Sequence, residues 1–192
     1  MDNNIIFISG TPCTGKTTLS KNLANKLTDY NVKLISINDF AFSHDLILGI
    51  DEDKGYKIVD IENLDPILNK EIMEFISTES DKPPFVIVEG HLSHLCSTTG
   101  HVCILRLNPD LLKERLSKRN YSTLKINENL EAECLGVCSV EAYEHQSNVS
   151  EIDTSNLSSD ELVDVVCSIL FDNKSYPLGS VDYLNYITEL NL

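Results

Sequence analysis

The most informative part of the sequence is NIIFIS (4–9) followed by GTPCTGKTT (10–18). The first six residues form a short, β-branched apolar run that ends at a glycine, which is typical of a buried strand. Leucines then recur at helical spacing, so residues 15–28 are predicted to form a helix. The segment between strand and helix matches the phosphate-binding pattern G-x-x-x-x-G-K-[ST] in the strand–loop–helix context that this motif requires.

Such a loop has a defined chemistry. Its backbone amides and the N-terminus of the following helix converge on the β- and γ-phosphate oxygens of a nucleoside triphosphate. Lys16 is predicted to neutralise the transferred phosphate, and the Thr17 hydroxyl to ligate Mg²⁺. The alternative is a chance glycine-rich turn, which the flanking strand and helix argue against. The predicted nucleotide-binding residues are Gly10, Cys13, Gly15, Lys16, Thr17 and Thr18.

Strands and helices alternate along the rest of the chain. Asn108 and Pro109 predict a helix start, and Ser158 with Glu161 predicts a capping box. Five strands alternating with helices indicate an α/β domain with a doubly wound parallel sheet, spanning residues 1–192 as one unit. The further strands are predicted at 32–37, 85–89, 101–107 and 148–153. The further helices are predicted at 60–78, 109–119, 128–146 and 158–170, before a C-terminal helical tail at 178–192.

Composition limits the cellular setting. Of the 192 residues, 42% are hydrophobic and 23% charged, which is ordinary for a globular domain. No apolar run approaches the roughly 20 residues that span a bilayer, and the acidic N-terminus is unlike a secretory signal. We therefore expect a cytoplasmic protein whose six cysteines are thiols. Cys134 and Cys138, at i, i+4 spacing, indicate a buried helix face more than half of a metal site.

The formal net charge of −15 is less ordinary. It opposes binding to DNA or another phosphate backbone. An acidic face could attract a basic protein, although solubility alone would also explain the charge. We expect the excess acid in the segment 50–56 and along the predicted helix at 128–145. The acids of that helix are Glu128, Glu131, Glu133, Glu141 and Glu144.

Three arginines are the candidates for a phosphate clamp, because guanidinium groups bind phosphate through two parallel hydrogen bonds. They lie close together as Arg106, Arg115 and Arg119. Arg115 precedes Arg119 by four residues, so the two could share a helix face and point at one anionic centre. A solvated helix face would explain them equally well.

The segment FVIVEGHLSHL (85–95) contains the remaining candidates. Glu89 ends an apolar strand, as the acid that completes a magnesium shell usually does, with Asp39 and Asp153 as alternatives. His91 and His94 could form half of a zinc site, but the sequence offers no further zinc ligands. His91 is therefore predicted to be a polar active-site residue, and His94 is predicted to be structural.

Five segments now occur in a recognisable order: GTPCTGKTTLSKNLA, KLISINDFA, VIVEGHLSH, ILRLNPDLLKERLSKRNYSTLKINENLEAE and SEIDTS. Over about residues 4–172 the chain resembles the small nucleotide kinases of the adenylate kinase isoenzyme 6 type, an archaeal and nuclear eukaryotic family. The resemblance implies a P-loop kinase fold and an ATP- and Mg²⁺-dependent nucleoside monophosphate kinase, with AMP as the expected acceptor. It also implies ATPase activity and a role in maturation of the small ribosomal subunit and its rRNA.

The resemblance also implies roles for parts of the chain. The monophosphate-binding segment would be about 36–59, and the lid about 118–128. Arg119 would reach the ATP phosphates from this lid, Glu89 would be the acid of the magnesium site, and His91 the catalytic histidine. The implied protein partner is a basic small-subunit ribosomal protein of the universal S-eleven class.

Two departures from the family pattern stand out. Cys13 occupies a position where family loops usually have glycine. Segment 36–59 contains no arginine, whereas family members often hold the monophosphate with one; here Lys54 and Lys57 are available. An assembly ATPase with little kinase activity therefore stays an alternative, as does a P-loop kinase for a small metabolite.

Overall fold

The computed structural model describes residues 4–51, 56–119 and 121–189. Its strands are β1 (Ile5–Ser9), β2 (Asn31–Ser36), β3 (Ile47–Asp51), β4 (Tyr56–Val59), β5 (Pro84–Glu89), β6 (His101–Arg106) and β7 (Val149–Asp153). Five of them form a parallel sheet in the order β2-β5-β1-β6-β7. This confirms the predicted five-stranded parallel sheet.

Helices cover both faces of this sheet. They are α1 (Lys16–Lys26), α2 (Ile37–Ser43), α3 (Ile61–Ser77), α4 (Pro109–Ser117), α5 (Thr123–Cys134), α6 (Val137–His145), α7 (Ser159–Asp172) and α8 (Asn185–Glu189). Side chains of β1 alternate between two cores. Ile6 and Ile8 pack with α1 and α7, whereas Phe7 packs on the opposite face with α2, α3 and α6.

Local signals explain where several helices begin. The Asn108 side chain accepts a hydrogen bond from the Asp110 amide, with Pro109 in the first turn of α4. Ser158 and Glu161 form the predicted capping box at the start of α7. These caps satisfy amides that otherwise have no partner at a helix N-terminus.

Two parts of the chain differ from the sequence-based prediction. Strands β3 and β4 form an antiparallel hairpin that was not predicted. The prediction of a single helix at 128–146 is wrong, because this segment contains two helices, α5 and α6, separated at Leu135 and Gly136. Gly136 has a φ of 65°, a left-handed conformation that glycine adopts without steric cost and that stops a helix.

The described part of the C-terminal segment, up to residue 189, is helical only in α8. Among the described helices, none has the length and apolar character needed to cross a membrane.

Candidate active site

The candidate site lies where two neighbouring strands send the chain to opposite faces of the sheet. After β1 the chain enters α1, which packs on one face. After β5 it enters a 3₁₀ turn (Ser93–Leu95), and the following Cys96 packs in the core on the other face. Such a divergence at the carboxyl ends of parallel strands opens a crevice in which α/β proteins bind ligands.

The phosphate-binding loop connects β1 to α1. Gly10 fits there because a Cβ atom would lie 2.3 Å from the backbone oxygen of Leu105, well inside van der Waals contact. Gly15 has a φ of 109° and stands directly before α1. Cys13 has a φ of 72°, and its side chain packs against the leucine cluster of α4 and α5.

Lys16 lies buried beneath this loop. Its ammonium group donates hydrogen bonds to the backbone oxygens of Gly10 (2.8 Å) and Thr11 (2.9 Å). Burial lowers the pKa of Lys16, although the carboxylates of Glu89 and Glu133 oppose this shift. The ammonium group is therefore held inside the loop, at the place where phosphate oxygens would replace the two carbonyls.

Two side-chain oxygen atoms beside the loop are suitable ligands for a magnesium ion. The Thr17 hydroxyl lies 3.1 Å from a carboxylate oxygen of Glu89, and oxygen ligands are those that Mg²⁺ prefers. Among the alternative acids, Asp153 ends the edge strand β7 and bonds to Ser155, while Asp39 lies on α2. The structure thus brings Glu89 to Thr17. Thr18 follows on α1 and is exposed.

His91 follows Glu89 across a tightly packed glycine. A Cβ atom on Gly90 would lie 2.8 Å from the Ile37 Cβ atom, so only glycine allows the turn to pass so close to α2. Burial lowers the pKa of His91 to about 4, and the charges of Lys16 and His94 act in the same direction. His91 is therefore neutral at pH 7 and lies near Lys16.

His94 is structural in this arrangement. Its Nδ1 lies 2.7 Å from Ser9 Oγ, and its Nε2 lies 3.0 Å from a carboxylate oxygen of Glu141. Burial lowers the pKa of His94, although the bond to Glu141 opposes this. The neutral ring then donates from Nε2 to the Glu141 carboxylate. In the described part of the chain, no three His, Cys, Asp or Glu side chains form a metal-binding cluster.

The three arginines have different surroundings. Arg115 donates from its guanidinium group to the backbone oxygen of Cys13 at 3.2 Å, and so touches the phosphate-binding loop. Helix α4 ends at Ser117, so Arg119 lies on the exposed turn beyond it. Arg106 is buried between two carboxylates and is not available as a clamp.

One of these carboxylates corrects a prediction about the surface. Glu133 was expected to contribute to an acidic helix face, but it is 1% exposed and pairs with Arg106. The expectation was wrong because Glu133 lies on the side of α5 that meets Arg106 and Leu107 at the end of β6. Glu141 also has a partner, because its carboxylate accepts a hydrogen bond from His94 Nε2.

A cavity of about 490 Å³ adjoins the Thr17–Glu89 pair; we call it the acceptor cavity. Its cations are Lys21 and Lys33, and Lys33 is paired with Glu71 at 2.8 Å. The complete lining is Thr17, Ser20, Lys21, Lys33, Leu34, Ile35, Ser36, Asp39, Phe40, Ser43, Glu71 and Glu89.

Sequence reasoning missed the cations of this cavity. Of the two lysines that the sequence offers for holding the monophosphate, Lys57 places its ammonium group 4.9 Å from the centre of the Phe42 ring. The other, Lys54, lies outside the described residues. Lys21 could have been found, because it follows Thr17 by four residues on α1 and so shares its helix face. Lys33 lies on β2 and gave no comparable signal.

With this geometry established, similarity to known proteins defines the class. Residues 6–136 match the family described as "AAA domain". Shikimate kinase from Acinetobacter baumannii, solved with shikimate, has the same fold with a TM-score of 0.60, over 90% of this chain and 96% of that one. At 17% identity this likeness concerns the fold alone. The protein is thus a P-loop kinase by fold.

Full-length relatives identify the family more closely. The chain is 39% identical to a protein named "Putative adenylate kinase" from Methanothermobacter thermautotrophicus, over 95% of this chain and 99% of that protein. It is 36% identical to a protein of the same name from Methanocaldococcus jannaschii, over 95% and 97% respectively. The chain belongs to the family of these archaeal proteins, which confirms the resemblance seen in the sequence.

Proposed function

We propose that this protein is an ATP- and Mg²⁺-dependent nucleoside monophosphate kinase that converts ATP and AMP to two molecules of ADP. One observation carries the proposal: the Thr17–Glu89 pair at the phosphate-binding loop also forms a wall of the acceptor cavity. The terminal phosphate of a nucleotide in the loop would therefore face an acceptor in the cavity. The names of the archaeal relatives support a nucleotide as that acceptor.

The residues divide the work of phosphoryl transfer. The amides of the loop would bind the β- and γ-phosphates, and Lys16 would exchange its two carbonyl partners for phosphate oxygens. Thr17 and Glu89 would hold Mg²⁺, which neutralises charge on the phosphates when bound. Neutral His91 would donate a hydrogen bond towards the transferred group. Arg115, and Arg119 from the lid at 118–128, would stabilise its developing negative charge.

The acceptor phosphate would lie near Lys21. This lysine lines the acceptor cavity, whereas Lys33 is already paired with Glu71. Its position one helical turn after Thr17 would bring the phosphate of the acceptor towards the magnesium site.

ADP formation tests the proposal directly. Purified protein with ATP and Mg²⁺ should form ADP much faster when AMP is added than with shikimate or without an acceptor. Lys16→Ala should lower this turnover by about 100-fold or more, because it removes a charge that stabilises the transferred phosphoryl group. Lys26→Ala is the matched control, since that lysine ends the same helix and pairs with Asp164 on the surface.

An ATPase that acts on a protein partner is the second candidate. The observation in its favour is that the described lining of the acceptor cavity contains no arginine, so a monophosphate would be held weakly. In this case ADP would form equally fast with and without AMP.

We further propose, from the family resemblance, a cytoplasmic role in maturation of the small ribosomal subunit together with a basic ribosomal protein.

A further inference from the structure

A buried ionic network lies beneath the phosphate-binding loop. Arg106 at the end of β6 donates from Nε to Glu133 on α5 at 2.9 Å, and from another nitrogen to Glu151 on β7 at 2.5 Å. Both carboxylates are 1% exposed. The two carboxylates surround the guanidinium group and raise the pKa of Arg106 although burial opposes this, so it stays charged.

Each carboxylate also has partners of its own. Glu151 accepts hydrogen bonds from Ser139 and from the backbone amides of Gly179 and Val181, and so ties the C-terminal segment to β7. Glu133 accepts the backbone amide of Leu107 at 2.9 Å, and its other oxygen accepts the hydroxyl of Thr11. Only the second set of contacts reaches the phosphate-binding loop.

This contact continues to Lys16. The Thr11 side chain is fixed on Glu133, while the Thr11 backbone oxygen accepts the Lys16 ammonium group at 2.9 Å. Glu133 on α5 therefore orients Thr11 through its side chain, and the Thr11 backbone oxygen in turn holds the Lys16 ammonium group.

One carboxylate would neutralise Arg106. Burying a second one requires its removal from water, which is unfavourable unless its additional hydrogen bonds compensate. For Glu133 these additional bonds go to Leu107 and to Thr11. A role in neutralising Arg106 therefore leaves the second carboxylate unexplained, whereas a role at the loop explains it.

We propose that Glu133 is a positioning residue that holds the phosphate-binding loop, through Thr11, in the conformation that receives the triphosphate. Without this anchor the loop must be ordered when the nucleotide binds, and that ordering weakens affinity. The proposal rests on the proposed function in one respect, namely that ATP is the nucleotide in the loop.

Two matched pairs of variants test the proposal. Glu133→Ala and Glu151→Ala each leave Arg106 with one carboxylate, but only the first removes the partner of Thr11. Thr11→Val removes the hydroxyl while keeping the shape, and Thr11→Ser keeps the hydroxyl. The measurements are the Kd of ATP with Mg²⁺ by calorimetry and the Tm without nucleotide.

We expect both alanine variants to lower the Tm. Glu133→Ala and Thr11→Val should raise the Kd for ATP by about tenfold, the effect of losing a hydrogen bond to a charged group. Glu151→Ala and Thr11→Ser should stay within about twofold of the wild type. Since Glu133 acts through Thr11, the double variant Thr11→Val/Glu133→Ala should bind ATP about as weakly as either single variant.

Three results would overturn the proposal: equal weakening by Glu133→Ala and Glu151→Ala, unchanged affinity in Thr11→Val, or additive losses in the double variant. If Glu133→Ala does not fold, the two Thr11 variants decide alone. A wild type that does not bind ATP would instead overturn the proposed function, and this inference with it.

Discussion

Cys13 adopts a backbone conformation that its own side chain disfavours. Among the described residues, three that are not glycine have a positive φ: Cys13, Asp45 and Asn173. Asp and Asn tolerate this region, whereas for most other residues a clash of Cβ with the backbone disfavours it by roughly 1–2 kcal/mol. Glycine is therefore the residue that the backbone favours at this position. The thiol is tolerated because its side chain packs against leucines of α4 and α5.

Substitutions at this position should follow backbone preference. Cys13→Val should lower the free energy of unfolding by about 1–3 kcal/mol, because a β-branched side chain is poorly accommodated at a φ of 72°. Cys13→Gly should change it by less than about 1 kcal/mol, since relief of strain offsets the greater entropy of the unfolded chain. Urea unfolding measures both. Cys167→Val, in the regular helix α7, is the control, and equal stability of the Cys13→Val and Cys13→Gly variants would contradict this account.

At the scale of elements, helix α6 supports the turn that carries His91. Glu141 holds His94, and the Gln146 side chain donates to the backbone oxygens of His94 and Cys96. On the other side of the turn, Ser9 Oγ lies 3.1 Å from the His91 backbone oxygen. The segment after β5 is thus fixed between β1 and α6, with His94 buried and His91 partly buried, and burial lowers the pKa of both rings.

This burial predicts a dependence of stability on pH. The pKa of His91 falls from 6.5 to about 4 on folding, so the unfolded chain binds more protons between these values. Its contribution to stability is present above pH 6.5 and is lost as the pH falls towards 4. Between pH 7 and pH 4, the free energy of unfolding of His91→Gln should fall by about 3 kcal/mol less than that of the wild type. Urea titrations at both pH values measure the difference, and equal losses would show that His91 is not buried in neutral form.

The sequence predicts the elements whose signals are local. The loop motif, the capping box at Ser158 and the acid that ends β5 all lie within a few residues of the structure they determine. Their positions were therefore predictable.

Features that depend on distant partners were not predictable. The burial of Glu133 depends on Thr11, Arg106 and Glu151, which lie far apart in sequence. Its spacing on a helix equals that of exposed acids, so periodicity could not distinguish it. The β3–β4 hairpin was missed because its strands lack a buried apolar run, since Leu48, Ile50 and Ile58 are exposed.

For the molecule as a whole, the formal net charge of −15 coexists with the buried ammonium group of Lys16 at the loop of residues 10–18. The exposed apolar side chains Leu48, Ile50 and Ile58 project from the β3–β4 hairpin. The sequence places acidic residues next to this hairpin, and a combination of apolar and acidic side chains suits a basic protein partner, because charge attracts the partner and apolar contact retains it.

Binding of a basic small-subunit ribosomal protein should therefore depend on salt. We expect affinity to fall steeply as salt rises, since exposed charges are screened over about 8 Å at physiological ionic strength. Reversal of Asp51, Glu52 and Asp53 to lysine should abolish binding and spare basal ATP turnover. Titration of the labelled partner in low and high salt, with and without AMP, measures this. The control reverses the exposed acids Glu79, Asp81 and Asp172, and equal loss in both triple variants would show that only total charge matters.

The pairing of β1 has a consequence for synthesis of the chain. Ile5 pairs with Val86 and Ile6 with His101, so β1 has no neighbouring strand until the chain has been made as far as Val86. At about 5–20 residues per second, the ribosome needs about 4–16 s to supply the first of these partners. During that interval an apolar strand is present in the nascent chain without its sheet, and it must avoid other nascent chains. The loop that binds phosphate can take its final form only after this wait ends.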